Sequence, residues 1–443
     1  MPLSAIEIYK QLPKTNCGKC GVPTCLAFAM ALANLKAELS SCPFASEDAK
    51  SALGAASAPP IKLVKVGAGG TCLQIGDEKV MYRHEKTFYH PPPLAGVVED
   101  GWSDATIGEH AKKVCGLVFD RVGQMEGMNA VAVWHTSPDP ARMAAAARAA
   151  QGASGMPLVL VAADREAMAQ ALASVKGSRP LVVSEKPASN AAMVALAKEH
   201  GCPVAVCSDG GLEGLVDEAK AAKAAGVDEI VLLMRGELGA LLNDMIMVRR
   251  LAISKNFREL GYPILNVVEA KESIDAVLEA SVLLMRYSSM LLLRHYAPEL
   301  ILPLVTLRLN IFTDPQKPIQ VKPGIYQIGE PGPTSPLLFT SNFSLTYFTV
   351  AGDVAKSKVP TRILVVDTEG LSVLTSFAAG KLEPEKVTKA LKDSGLESLL
   401  AKKELVIPGM VSRMSGKLAE MTGWKIIVGP RESSGIPNFL RNL

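Results

Sequence analysis

Leu158-Val159-Leu160-Val161, Leu181-Val182-Val183 and Val204-Ala205-Val206-Cys207, with the stretches 165–175 and 188–199 between them, form the passage that decides the fold. Each short run is apolar at every position, so a strand built from it is buried on both faces. Each intervening stretch spaces its apolar residues three and four apart, as a helix with one face on a core does. Apolar strands alternating with amphipathic helices imply a parallel sheet covered by helices. Outward from this passage, strands are expected at 116–119, 131–134, 229–233, 264–267 and 301–305, and helices at 142–150, 213–225, 238–260 and 273–293. Eight such units within residues 94–318 match a closed TIM-like (β/α)8 barrel in number and size. An open doubly wound sheet is the alternative.

Composition bounds the rest. A chain of 443 residues has room for several domains, and 48% apolar with 21% charged residues leaves ample core material. A net charge of +3 is too small to argue for nucleic acid or an anionic membrane as partner. Met1-Pro2-Leu3-Ser4-Ala5-Ile6-Glu7 lacks the basic and apolar segments of a secretory signal. The longest apolar runs, 282–293 and 301–312, are interrupted by Arg286 and Arg308 and fall short of the roughly 18 residues of a membrane span. Cys72, Cys115, Cys202 and Cys207 form no disulfide framework, so a cytoplasmic, reducing location is expected.

C-terminal to the barrel, residues 319–330 read as a linker, and the segment 319–443 as a Rossmann-like domain. Strands are expected at 337–340, 363–366, 405–407 and 426–428, with helices near 345–356, 371–378, 384–391 and 412–422. Ligands of such a sheet bind outside the carboxyl ends of its strands. The loops there are small, polar and glycine-rich: Thr340-Ser341-Asn342, the run from Asp367 to Thr375, Pro408-Gly409-Met410, and Gly429 to Gly435. A broad neutral rim of that kind suits a large flat ligand with amide side chains. Neither G-x-G-x-x-G nor a P-loop is present, which argues against nucleotides.

N-terminal to the barrel, residues 58–93 read as a linker with a short β-rich stretch, and 1–57 as a metal module. Cys17, Cys20, Cys25 and Cys42, followed by Pro43, are spaced C-x2-C-x4-C-x16-C-P. Soft sulfur ligands select zinc, copper(I) or an iron–sulfur cluster. Structural zinc usually has two C-x2-C pairs, and only one is present. The pattern looks more like a cubane [4Fe-4S] cluster, with zinc as the alternative. Cys25 opens an Ala/Leu-rich helix over 25–39, whose positive dipole end favours a thiolate or an anionic cluster.

The opening Ile8-Tyr9-Lys10-Gln11-Leu12-Pro13-Lys14-Thr15-Asn16-Cys17-Gly18-Lys19-Cys20-Gly21, with Pro23-Thr24-Cys25-Leu26-Ala27-Phe28-Ala29, and the order of three domains resemble the large (gamma) subunits of corrinoid iron–sulfur proteins and of acetyl-CoA decarbonylase/synthase complexes. The resemblance implies a methyltransferase component of the reductive acetyl-CoA pathway. Its cob(I)amide accepts a methyl group from methyl-tetrahydrofolate, or a pterin analogue, on a separate methyltransferase. It passes that group to the nickel cluster of acetyl-CoA synthase/CO dehydrogenase. The iron–sulfur cluster returns oxidised cobalt to cob(I), using a low-potential donor such as ferredoxin, and a smaller subunit completes a heterodimer. By the same resemblance the corrinoid contacts are Thr340, Thr346, Gly370, Leu371, Ser372, Val373, Leu374, Gly409 and Ser433, with Thr375 nearby on the lower face. No histidine lies after Pro298 and none stands in an Asp-x-His-x-x-Gly motif. That fits a base-off corrinoid without a protein histidine ligand.

Two other readings compete. One is a barrel pterin methyltransferase with structural zinc, for which Asp120, Asp209 and Asn266 at the expected strand ends are the first candidates. The other is an iron–sulfur electron-transfer subunit with an accessory barrel. Polar residues at strand ends are equally explained as solvated loops and helix caps.

Overall fold

The computed structural model describes residues 5–33, 37, 39–46, 49, 59–82, 85, 88–313 and 318–443. The chain forms two compact units: Met1–Phe119 with Glu126–Phe312, and Asp120–Met125 with Thr313–Leu443. The expected boundary near residue 57 lies outside the described residues.

In the first unit an antiparallel hairpin, β1 (Val64–Val66) and β2 (Leu73–Ile75), precedes β3 (Leu94–Glu99). After a helix comes a separate two-stranded sheet, β4 (Val118–Arg121) and β5 (Gln124–Gly127), whose residues Asp120–Met125 belong to the second unit. The chain then runs through β6 (Ala130–Trp134), β7 (Leu158–Ala162), β8 (Leu181–Ser184), β9 (Val204–Val206), β10 (Ile230–Met234), β11 (Ile264–Val267) and β12 (Met290–Leu293). β3 and β6 to β12 close a parallel eight-stranded barrel, with β12 pairing back onto β3. Alternation along each strand builds two cores. In β7, Val159 and Val161 fill the barrel interior, while Leu158, Leu160 and Ala162 pack into the layer under the helices.

Val64, Val66 and Ile75 belong to the interior core, so the β1–β2 hairpin is a plug rather than a linker decoration. It is anchored at residues preceding the barrel strands: Lys65 N–H donates to Glu229, Arg179 donates to the Lys65 carbonyl, and Gly67 N–H donates to the Arg179 carbonyl.

Two of the eight expected barrel strands are corrected. The 116–119 run leads into β4, outside the barrel, and 301–305 lies within the helix Pro298–Phe312. The places are taken by β3 and β12. The run before β12 reads as one long apolar helix, but the helix stops at Met285, and Tyr287 adopts a left-handed φ of 75° that breaks it. Residues 301–305 are apolar at every position, which suits a helix buried against neighbours as well as a strand. Asp164 is a helix cap, accepting from Ala167 N–H.

The second unit is a five-stranded sheet: β13 (Gly324–Ile328), β14 (Leu337–Ser341), β15 (Thr361–Val366), β16 (Glu404–Ile407) and β17 (Lys425–Val428). The order is β13-β15-β14-β16-β17, parallel except for the β13 edge. β13 falls in the stretch read as a linker, whose prolines and glycines mask it. Helices Ser344–Ser357 and Ile436–Arg441 pack on one face, through Leu338, Ile363, Val365 and Val406. Helices Pro384–Asp393 and Ser415–Thr422 cover the other, through Leu337, Phe339, Leu364, Leu405 and Ile407. From β14 the chain moves first to one side, to β15, and then returns to the other, to β16. The reversal leaves a crevice at the carboxyl ends of β14 and β16.

Candidate functional site

A cavity of about 550 Å³ occupies that crevice. Its floor is the end of β14. Its walls are the first turns of helix Ser344–Ser357, the segment 372–375, and the loops after β16 and β17. Most of the lining is apolar, with scattered hydroxyls from Thr340, Thr346, Thr349, Ser372 and Thr375, and Arg431 and Glu432 at the loop after β17. Thr340 is 1% exposed, and its hydroxyl oxygen has no hydrogen-bond partner. A buried orphan hydroxyl on a cavity floor is what a ligand with amide or carbonyl groups would satisfy. Ser433 lines the cavity too, but its hydroxyl is engaged: together with the Lys356 ammonium it holds the Asp353 carboxyl below the usual carboxylate range.

Of the residues assigned to the corrinoid by resemblance, Thr340, Thr346, Ser372, Val373, Leu374 and Ser433 line this one cavity, with Thr375 beside them. Gly370, Leu371 and Gly409 are not among its lining residues, though each lies within two residues of one along the chain. Gly370 has φ +77°, and a Cβ there would lie 2.7 Å from Gln320 Cγ. A Cβ on Gly409 would lie 2.6 Å from the Gly429 carbonyl oxygen, so that glycine lets the loops after β16 and β17 meet. Leu345, Thr349 and Val350 were not anticipated, while Met410 belongs to a strand-end loop expected to form the rim. Thr349 was findable, being one helical turn from Thr346 on the same face. The lining residues include no histidine.

In the N-terminal segment Cys25 opens the helix Cys25–Ala33, and its N–H donates to the Asn16 carboxamide at 2.8 Å. Cys25 and Cys42, both 6% exposed, share a small core with Ile8, Leu12, Phe28 and Leu39, and Cys20 packs against it. Cys17 is exposed. The Lys19 backbone N–H, with the Thr15 side chain, draws its thiol below the usual range. Gly18 and Gly21, at φ 69° and 85°, curl the loop between them. Among the described residues no three His, Cys, Asp or Glu side chains already converge as a metal-holding group. Three of the four sulfurs nevertheless sit in or against one core, and a metal centre itself draws its thiolates together. By contrast, burial pushes the Cys202 and Cys207 thiols up to about 11, which keeps them protonated and inert.

At the carboxyl ends of the barrel strands an aromatic ring is flanked by charged side chains. Trp134, at the end of β6, is 5% exposed and belongs to the interior core. Its indole N–H donates to Glu185 at 3.2 Å, and the Arg294 and Arg235 guanidiniums lie 4.5 and 5.1 Å from its ring centroid. Arg294 pairs in turn with Glu99 at 2.6 Å. His135 is bound to the buried Asp100 at 2.5 Å. Of the strand-end candidates, Asn266 is fully buried and its carboxamide oxygen has no hydrogen-bond partner. Asp120 caps the turn between β4 and β5 by accepting from Gly123, Asn266 donates to the Met234 carbonyl, and Asp209 is exposed.

Comparison with known proteins follows the same division. The family described as CO dehydrogenase/acetyl-CoA synthase delta subunit matches residues 63–440, and that described as a putative Fe-S cluster matches residues 12–44. The corrinoid/iron-sulfur protein large subunit of Moorella thermoacetica is 45% identical over 442 residues, covering 100% of this chain and 99% of that protein. The chain belongs to that family. The acetyl-CoA decarbonylase/synthase complex subunit gamma of Methanothermobacter thermautotrophicus is 36% identical over 456 residues, covering 100% of this chain and 99% of the relative. Among solved structures, a dihydropteroate synthase from Thermus thermophilus aligns over 57% of this chain and 100% of its own, at 17% identity and a TM-score of 0.40, too distant to bear on function. The family match takes in the whole barrel and every cavity residue, and the Fe-S match takes in all four cysteines of the N-terminal motif. No helix among the described residues is long and apolar enough to cross a membrane.

Proposed function

We propose that this chain is a corrinoid-bearing methyl carrier of the acetyl-CoA pathway, with the corrinoid in the cavity of the second unit and a [4Fe-4S] cluster on Cys17, Cys20, Cys25 and Cys42. The observation that carries the reading is the 550 Å³ crevice at the strand-order reversal, apolar, and floored by a threonine hydroxyl with no partner of its own. When bound, the corrinoid supplies a cobalt able to accept and release a methyl group, and the cluster an electron of low potential. The chain's own part is to hold and shield. Thr340 offers a hydroxyl to a corrin amide, the helix Ser344–Ser357 lays Leu345, Thr346 and Thr349 along one wall, and the segment 372–375 forms the other. With no histidine among its lining residues, the cavity would offer the cobalt no imidazole, which fits a base-off corrinoid whose lower oxidation states are favoured.

On this reading the methyl donor is presented by a separate pterin-binding methyltransferase, and the acceptor is the nickel centre of acetyl-CoA synthase. A smaller partner subunit, a ferredoxin-type donor and a cytoplasmic location complete it. The pterin methyltransferase alternative has the barrel's strand ends to work with, where Trp134 packs into the interior core beneath the Arg235 and Arg294 guanidiniums. Metal analysis of the protein, purified anaerobically with its partner subunit, tests the proposal: iron and cobalt are expected together. Stoichiometric zinc without iron, or iron without cobalt, overturns it.

A further inference from the structure

The Asn342 carboxamide, 1% exposed and one residue past β14, is fully engaged. Its oxygen accepts from Thr368 N–H at 2.9 Å and from Gly370 N–H at 3.0 Å, and it shares the single proton of the Thr368 hydroxyl, 2.9 Å away, with the Leu371 carbonyl at 2.8 Å. Its nitrogen donates to the Gln320 carboxamide and to the Asp367 carboxylate, both at 3.2 Å. The loop it grips is conformationally demanding: Glu369 and Gly370 are both left-handed, at φ 58° and 77°. Asp367 adds to the clamp by accepting from Glu369 N–H at 2.9 Å. The loop leads at once into Ser372, Val373, Leu374 and Thr375, the cavity wall. Asn342 itself does not line the cavity.

We infer that Asn342 is the positioning residue of the corrinoid wall: it sets the height of segment 372–375 against the bound ring by locking the loop 367–371. The inference rests on the corrinoid reading of the cavity. An amide is required because the group must accept from two backbone N–H donors on one side and donate to two acceptors on the other, and no other side chain of that size does both. Asn342→Asp keeps the acceptor but turns a second oxygen toward Asp367, placing two carboxylates face to face. Asn342→Asp/Asp367→Asn exchanges amide and carboxylate and restores a donor to the pair.

The experiment uses the full chain with its partner subunit, loaded with cob(II)alamin. The readouts are corrinoid affinity, the cobalt(II) electron paramagnetic resonance spectrum and thermal unfolding of the ligand-free protein. Asn342→Asp is expected to weaken corrinoid binding about tenfold, the order of one lost buried polar contact, and to alter the cobalt(II) spectrum. The double variant should recover both. A single variant that binds as tightly as wild type with an unchanged spectrum overturns the inference, as does a double variant no better than the single one. Wild-type protein that takes up no cobalt overturns the reading of the cavity, and this inference with it.

Discussion

At position 340 a hydroxyl is sealed from water with nothing to bond, a state that costs about 1–3 kcal/mol in a ligand-free protein. Thr340→Val keeps the shape and removes that cost. The ligand-free protein should therefore melt higher, while corrinoid affinity falls several-fold for want of the hydroxyl, about one hydrogen bond's worth. Opposite shifts in the two measurements identify a ligand-facing hydroxyl, whereas a fall in both would make Thr340 a packing residue. The strand-end position of Thr340 is legible in the sequence; its missing partner is not, because satisfaction of a buried group depends on residues far away in the chain. Gly370 and Gly409 show the converse. Their small size is evident, but what approaches each is the protein's own backbone or Gln320, which only the assembled fold reveals.

Among elements, Glu78 and Val80 are held to the helix Leu238–Ser254 by Arg249, which is 1% exposed. Arg249 pairs with Glu78, donates to the Val80 carbonyl and lies 4.3 Å from the Tyr287 ring centroid. Removing one partner of a buried ion pair strands the other charge. Arg249→Met is expected to cost roughly 3–5 kcal/mol in chemical denaturation, and Arg249→Met/Glu78→Gln to regain most of it. Equal destabilisation by the single and double variants would assign the effect to packing alone. The same scale holds the main misreadings of the sequence. β12 hides at the end of an apolar helix, residues 301–305 are strand-like in composition yet helical, and β3 starts directly after three prolines. Short apolar runs do not distinguish buried strands from buried helices, because periodicity vanishes when every face is covered.

For the whole molecule, the proposed arrangement separates an accessory electron source from the cavity that handles the methyl group. Cys20→Ala should lower the iron content while leaving corrinoid uptake intact. Methyl transfer from pre-reduced protein should survive the first turnover, with no recovery after oxidation; loss of that first turnover would contradict a repair role for the cluster. The cysteine spacing, the strand–helix alternation and the lack of a C-terminal histidine are local or compositional features, so sequence alone determined the barrel class, the metal motif and the likeness to the corrinoid/iron-sulfur family. Tertiary structure alone decided which strands close the barrel and that the β1–β2 hairpin plugs it. It also decided that Trp134 packs into the barrel's interior core, and that Thr340, Thr346, Ser372 and Ser433 meet around one crevice. Each of these depends on contacts between residues distant in the chain, and such contacts are set by how whole elements pack rather than by any local pattern.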